Sequence, residues 1–251
     1  MLGLFDSGLG GLSVMRRVRE LLPRHDLLFF ADQAHVPYGD RDDADLARLL
    51  RQNVAFLDAE RCDAIVMACN TSCAIADSYG WPPADALLVD LIESAAIDVQ
   101  RAGFERIAVV ATAATAASGA YGRKIRDRVP GALVQELGAP ALVPLVEAGL
   151  ADTARARLEV ERVCAKIDPH TQVVILACTH YPFLDAHFAD ALSPAVRRLD
   201  PALVQAERTA ELVECHGFAP GTGHSRYVTN GDRAIFSANV ERIMAAREAT
   251  T

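Results

Sequence analysis

The sequence predicts an α/β protein built as two similar lobes with mostly parallel sheets and an active-site cleft between them. Three observations carry that expectation. Short aliphatic runs alternate with helical apolar periodicity from one end of the chain to the other, the pattern of parallel strands joined by helices. Two of these runs, 64–68 and 173–177, end alike, in Ala68-Cys69-Asn70-Thr71 and Ala177-Cys178-Thr179-His180. Open parallel sheets bind ligands at the carboxyl edge of their strands, so the two endings put two thiols where chemistry is done.

In chain order, Leu2 to Phe5 is an apolar strand that runs into Asp6-Ser7-Gly8-Leu9-Gly10-Gly11. Leu12, Met15, Val18 and Leu22 then follow at helical spacing, giving strand, glycine-rich turn and helix. Residues 27–31 form a second strand ending at Asp32, and a polar loop passes through His35, Pro37, Tyr38 and Gly39. Leu46, Leu49, Leu50, Val54 and Leu57 mark a helix over 45–59. A third strand covers 63–68, with Asn70 or Thr71 expected to cap the next helix. A weak strand over 87–89 and a helix over 90–102 come next. The strand at 106–111 ends in Thr112, Thr115 and Ser118, with one helix running on to about Arg128. A strand at 133–136, an apolar stretch over 142–146 that reaches Glu147, and an amphipathic helix over 153–166 precede the second thiol strand. That strand holds Val173, Val174, Ile175 and Leu176, an aliphatic run suited to burial on both faces. Residues 183–192 read as helix, 196–199 as strand, 201–216 as helix, 226–229 as strand and 234–246 as helix. The symmetry of the halves suggests a crossover near 90–101 and a return near 205.

Composition narrows the function. The 51% hydrophobic and 23% charged content is that of a globular protein. A formal charge of -8 argues against a general nucleic-acid binder, whose affinity rests on Lys and Arg. No stretch approaches the roughly 18 apolar residues of a membrane span. No basic region with an apolar signal core opens the chain, so no membrane partner and a cytoplasmic location are expected. The cysteines at 62, 69, 73, 164, 178 and 215 form no close metal-type pairs and are expected as reduced thiols. Zinc needs about four ligands, and Cys69, Cys178 and His180 alone stand at strand ends of the right kind. The two lysines, Lys124 and Lys166, lie in mid-helix, away from any strand end where a pyridoxal Schiff base would form. Neither metal nor cofactor is expected.

A cysteine taken alone is most often a small buried hydrophobe. Two at equivalent strand ends, each followed by hydroxyl residues at a helix start, make a rarer arrangement. A helix N-terminus lowers a thiol's pKa, so both thiols are expected in reactive form. His180, two residues after Cys178, can set that thiol's protonation. Asp6 at its strand end points into the edge crevice, and Glu147 is within reach of the cleft. Cys73 is expected in the core, Cys62, Cys164 and Cys215 are structural, and His35 has no assigned role. Segments 6–11, 32–39, 68–74 and 177–182 contain no Lys or Arg, so a bound carboxylate would be held by backbone N–H groups, hydroxyls and the Asn70 amide.

In order along the chain, Asp6-Ser7-Gly8-Leu9-Gly10-Gly11-Leu12-Ser13-Val14, Val36-Pro37-Tyr38-Gly39, Ala68-Cys69-Asn70-Thr71 and Cys178-Thr179-His180-Tyr181-Pro182 resemble the motifs of the glutamate racemase family. Thr112, Thr115, Ser118 and Tyr121 are similar to its middle motif, and Glu147 to its acid. The Cys-Asn-Thr motif is shared by the wider aspartate/glutamate racemase superfamily, while the His after Cys178-Thr179 favours glutamate. Ala31 and Ala177 stand where the family usually has Gly, which predicts small backbone adjustments, and Cys73 is unusual for its motif.

The resemblance implies a first lobe of 1–93 plus 206–251, a second of 94–205, and a homodimer. It implies cofactor-independent interconversion of L- and D-glutamate by two thiols, supplying D-glutamate for peptidoglycan, the cell wall and cell shape. Cys69 and Cys178 would be the catalytic pair, Asp6 assisting the first, His180 the second, with Glu147 tuning that second pair. Substrate contacts would fall to Asp6, Ser7, Tyr38, Gly39, Asn70, Thr71, Thr112, Thr115, Thr179 and His180. The competing readings are an aspartate racemase, a decarboxylase of malonate-type acids and a non-catalytic two-lobed binding protein. The decarboxylase resembles the superfamily with one cysteine, and binding alone has no use for two. Dialysis against EDTA, with no pyridoxal phosphate added, is therefore expected to leave racemisation of glutamate intact; full loss of activity would contradict this.

Overall fold

The computed structural model describes residues 1–245. The last residue of the helix expected over 234–246, and the end of the 206–251 segment, lie outside the described residues. Among the described residues the aliphatic runs become nine strands in two sheets, and every pairing is parallel.

The first unit runs β1 (Leu2–Asp6), α1 (Leu12–Leu21), β2 (Leu27–Ala31), α2 (Asp43–Ala59), β3 (Ala64–Met67), α3 (Asn70–Tyr79) and β4 (Leu87–Asp90). Helix α4 (Leu91–Ala102) carries the chain to the second unit, β5 (Arg106–Ala111), α5 (Ala113–Ser118), α6 (Ala120–Arg128), β6 (Leu133–Gly138), α7 (Leu142–Glu147), α8 (Ala154–Cys164), β7 (Val173–Ala177), α9 (Asp185–Ala191) and β8 (Arg197–Leu199). Helix α10 (Pro201–His216) leads back to β9 (Ser225–Thr229) and α11 (Arg233–Ala245).

The first sheet has the order β4-β3-β1-β2-β9 and the second β6-β5-β7-β8. Reversed, the second reads β8-β7-β5-β6, the same winding as β4-β3-β1-β2. The likeness of the halves expected from the sequence is thus a likeness of topology. In each sheet the chain adds a strand on one side of its founder, then crosses to the other side. The crevice at that reversal lies between β1 and β3 in the first sheet and between β5 and β7 in the second. Such crevices are where open α/β sheets bind ligands.

Local chemistry explains most boundaries. Strands β1, β2, β3 and β7 are buried at every residue, as continuous aliphatic runs require. Side chains of Asp42, Asp90, Thr112, Thr153 and Asp200 accept N–H groups at the starts of α2, α4, α5, α8 and α10. The Asp42 cap starts α2 two residues ahead of the expected 45. Three expectations are corrected. The single helix after Thr112 is two, because Gly119 adopts φ +66 and ends α5, a left-handed stop that helical periodicity does not reveal. The helix expected over 183–192 begins as a 3-10 turn, Tyr181–Leu184, before α9. Neither Asn70 nor Thr71 caps α3: Cys69 takes the cap position, and both polar residues fall inside the first turn. At Ala31 and Ala177 the parallel pairing continues to the strand end, opposite Asp6 and Ala111.

The central core lies between the sheets. It joins Phe5, Leu28 and Ile65 of the first sheet to Ile107, Val109 and Val173 of the second through Cys73, Ile92, Ala95 and Tyr121 on α3, α4 and α6. Helices α1, α10 and α11 cover the far face of the first sheet, and α7, α8 and α9 that of the second. Gln205 of α10 is fully buried and donates Nε2 to the carbonyls of Met67 (3.0 Å) and Val89 (3.1 Å), pinning the ends of β3 and β4. Gln205→Leu keeps the bulk and deletes both bonds, and is expected to cost about 2 kcal/mol. Urea unfolding should show a lower midpoint at unchanged slope; an unmoved midpoint would contradict this anchoring.

Candidate active site

The first thiol stands where β3 gives way to α3. Cys69 is buried, and its Sγ–H donates to Ser7 Oγ at 3.8 Å across the β1/β3 crevice. Asp6, the last residue of β1, is 0% exposed. Its Oδ2 accepts Gly11 N–H at 2.7 Å and the Thr179 hydroxyl at 3.4 Å, while its Oδ1 is buried with no hydrogen bond among the described residues. A carboxylate with one oxygen unpaired beside a thiol is a costly arrangement that ordinary packing does not retain. Burial first, and the Asp6 charge second, push the Cys69 thiol up to about 12. This corrects the expectation of a lowered value: removal from water outweighs the start of α3. Cys69 is a thiol at neutral pH.

The second thiol occupies the equivalent place, directly after β7. Cys178 is buried, and its Sγ lies 3.7 Å from His180 Nδ1. The other ring nitrogen, Nε2, is hydrogen-bonded to Glu147 Oε1 at the end of α7. Burial lowers the His180 pKa, but the bonds to Cys178 and Glu147 win and raise it well above the usual imidazole value. The His180 bond in turn holds Glu147 below its ordinary value. The two thiols thus differ in company: Cys69 faces a carboxylate, Cys178 an imidazole backed by a carboxylate.

Both thiols line one cavity of about 30 Å³ together with Ser7, Tyr38, Gly39, Asn70, Thr71, Thr112, Thr179 and His180. That volume holds a few waters and no amino acid, so the walls stand too close together for a substrate. Asp6, Glu147 and Thr115 stand behind this lining: Asp6 bonds Thr179, Glu147 bonds His180, and Thr115 Oγ1 lies 3.3 Å from Thr71 Oγ1. The structure therefore brings together the residues expected to act as acid or base or to contact substrate. No Lys or Arg is among the described residues of the lining. No described group of three or more His, Cys, Asp and Glu is arranged to hold a metal ion.

Sequence reasoning missed two kinds of residue. Val143 also lines the cavity, an apolar residue with no chemical signal of its own, as do Val36 and Pro37, named in a motif but given no role. Behind Tyr38 lies a buried hub: the Asp32 carboxylate accepts the Tyr38 hydroxyl, Asn230 Nδ2 and Asn53 Nδ2 (3.5 Å), and meets His35 Nδ1 at 2.6 Å. Burial, then Asp32, raise the Tyr38 pKa far above the phenol range, so it remains a donor. His35, given no role, helps fix the loop that carries Tyr38. The signal was a polar residue at a strand end, the same signal that marks Asp6. Cys73 packs as expected, fully buried with Sγ 3.4 Å from the Met67 carbonyl.

The family model described as Asp/Glu/Hydantoin racemase matches residues 9–209. A glutamate racemase of Gloeobacter violaceus is 38% identical over 88% of this chain and 87% of its own length. One from Lactobacillus acidophilus is 36% identical over 94% and 90%. Among solved structures, glutamate racemase from Francisella tularensis in complex with D-glutamate superposes with a TM-score of 0.89 at 27% identity, covering 99% of this chain and 94% of that one. With the family model matched over most of the sequence and relatives this similar along nearly the whole length, the chain belongs to the Asp/Glu/Hydantoin racemase family.

Proposed function

We propose that the chain interconverts L- and D-glutamate by a two-base proton transfer between Cys69 and Cys178. One observation carries the reading: each thiol stands at the reversal crevice of its own sheet, and both wall the same small cavity. A carbon held between them meets one sulfur on each face. The relatives named glutamate racemases, and the likeness to a structure holding D-glutamate, support glutamate as the substrate.

The α-proton of glutamate is weakly acidic, and racemisation takes it from one face and returns a proton to the other. With L-glutamate, Cys178 acts as thiolate and takes the proton, with His180 as its partner. Cys69 as thiol gives its proton to the opposite face, with Asp6 beside it. The C–H bond is remade inverted and the two sulfurs have exchanged states, ready for D-glutamate. General acid–base help of this kind contributes about 10²–10⁴ in rate per group. Hydroxyls of Ser7 and Thr71, with the Gly39 backbone and the Asn70 amide, hold the carboxylates, and Thr115 fixes Thr71; Tyr38, Thr112 and Thr179, whose hydroxyl protons go to Asp32, Thr115 and Asp6, shape the walls around them. Neutral donors fixed before reaction stabilise the charge that develops on the carboxylate without reorganising. The lobes part to admit the substrate, dividing at 93/94 and 205/206 within α4 and α10, which pack together. The product serves peptidoglycan synthesis, the cell wall and cell shape, in the cytoplasm, and the protein works as a homodimer; among the described residues no helix is long and apolar enough to cross a membrane.

The Glu147–His180 pair sets a pH window. Glu147, lowered, contributes stability above its ordinary 4.5 that is lost as pH falls through its folded value. His180, raised, contributes below its ordinary 6.5 and loses it as pH rises through its folded value. Both contributions are whole between 4.5 and 6.5.

Cys69→Ser and Cys178→Ser are each expected to slow racemisation by at least about 10²-fold, measured by optical rotation from either enantiomer. A variant that racemises like the parent would sink the two-base reading. Glu147→Gln removes the carboxylate charge that raises His180, so the alkaline limb of kcat/KM for L-glutamate should move to lower pH. A limb that stays in place would show that Glu147 does not act through His180.

A further inference from the structure

We propose that Tyr121 is a positioning residue that turns the Asn70 amide so that Nδ2, and not Oδ1, faces a substrate carboxylate. This deepens the glutamate reading above and rests on it. The two residues come from different units: Asn70 is the first residue of α3, and Tyr121 lies on α6. Tyr121 is 0% exposed, and its hydroxyl donates to Asn70 Oδ1 at 2.5 Å.

Burial holds the Tyr121 pKa well above the usual phenol value, so the group keeps its proton and must place it. No water reaches a fully enclosed hydroxyl, and Asn70 Oδ1 is the acceptor it has among the described residues. Turning the amide over would present Nδ2 to the phenol and strand the hydroxyl proton at the full desolvation cost. The amide is therefore fixed by its back. Its front, Nδ2, is bonded to no described residue, and Asn70 lines the cavity.

The orientation matters because no Lys or Arg is among the described residues of this lining. An amide is two-faced: Nδ2 attracts a carboxylate, while Oδ1 repels it. In a site with a cation the difference would be minor; among neutral donors it decides whether Asn70 binds or excludes. The neighbouring Thr71 hydroxyl is held in the same manner, 3.3 Å from both Thr112 Oγ1 and Thr115 Oγ1 of the opposite unit. The first turn of α3, freed from capping, is thus aimed from across the cleft.

Tyr121→Phe keeps the ring and deletes the hydroxyl. With glutamate as substrate, KM for both enantiomers is expected to rise about 10-fold with a smaller change in kcat. Asn70→Ala should raise KM similarly, and adding Tyr121→Phe to it should change KM by less than about 2-fold. A packing role for Tyr121 would instead multiply the two increases, and that result, or a parental KM in Tyr121→Phe, overturns the proposal. If Tyr121→Phe does not fold, Asn70→Asp decides: either carboxylate oxygen accepts the Tyr121 bond but confronts the substrate with an anion, so KM should rise about 10-fold or more with thermal stability retained. A parental KM in Asn70→Asp also overturns it. A parent protein that does not racemise glutamate would refute the preceding reading before any variant is compared.

Discussion

The site depends on one close approach between the sheet edges, Gly10 against Thr179. A Cβ on Gly10 would stand 2.2 Å from Thr179 Oγ1 and 2.5 Å from Thr179 Cβ, closer than real atoms come. Without a side chain at Gly10 the loop after β1 reaches the loop after β7, and Thr179 reaches the Asp6 carboxylate. That meeting brings two crevices, each formed by the winding of its own sheet, face to face. Paired thiols follow from it. Each sulfur needs no more than its place at a strand end, and the facing of the edges turns two places into two sides of one cavity.

Electrostatics then distinguishes sulfurs that topology makes equivalent. Cys69 is walled from water beside the partly unpaired Asp6 and keeps its proton. Cys178 has a His180 whose positive charge is favoured by Glu147. The asymmetry suits a reaction in which one group must start as acid and the other as base. With no Lys or Arg in the described lining, attraction for carboxylates rests on donors whose directions are fixed from behind. Thr112 and Thr115 do this for Thr71 and Tyr121 does it for Asn70, while Asp32 takes the Tyr38 hydroxyl proton and so fixes that ring as part of the wall.

Much of this was legible in the chain itself. Aliphatic runs ending in Cys69, Cys178, Asp6 and Thr112 located the strands and the edge at once, because a buried parallel strand must be apolar and its polar successor marks where burial stops. What was not legible depends on contacts distant in sequence or on conformation. Asn230 meets Asp32 from 198 residues away, a pairing that no local pattern encodes. Gly119 ends a helix whose periodicity continues past it. The direction of the Cys69 shift was misread because a helix start is visible in a sequence while the degree of burial is not. At Ala31 and Ala177 the methyls are buried and the strands pair to the end.

The central claim is that two different groups serve the two faces of one carbon. It is tested most directly by racemisation of L-glutamate in D2O, with the isotope at the α-carbon of both enantiomers followed at early times. A thiolate that takes the proton and a separate thiol that delivers a solvent-derived one predict deuterium in the D-glutamate formed while the remaining L-glutamate keeps its protium. Equal deuterium in both enantiomers from the outset would mean that a single base works both faces, and would contradict the account.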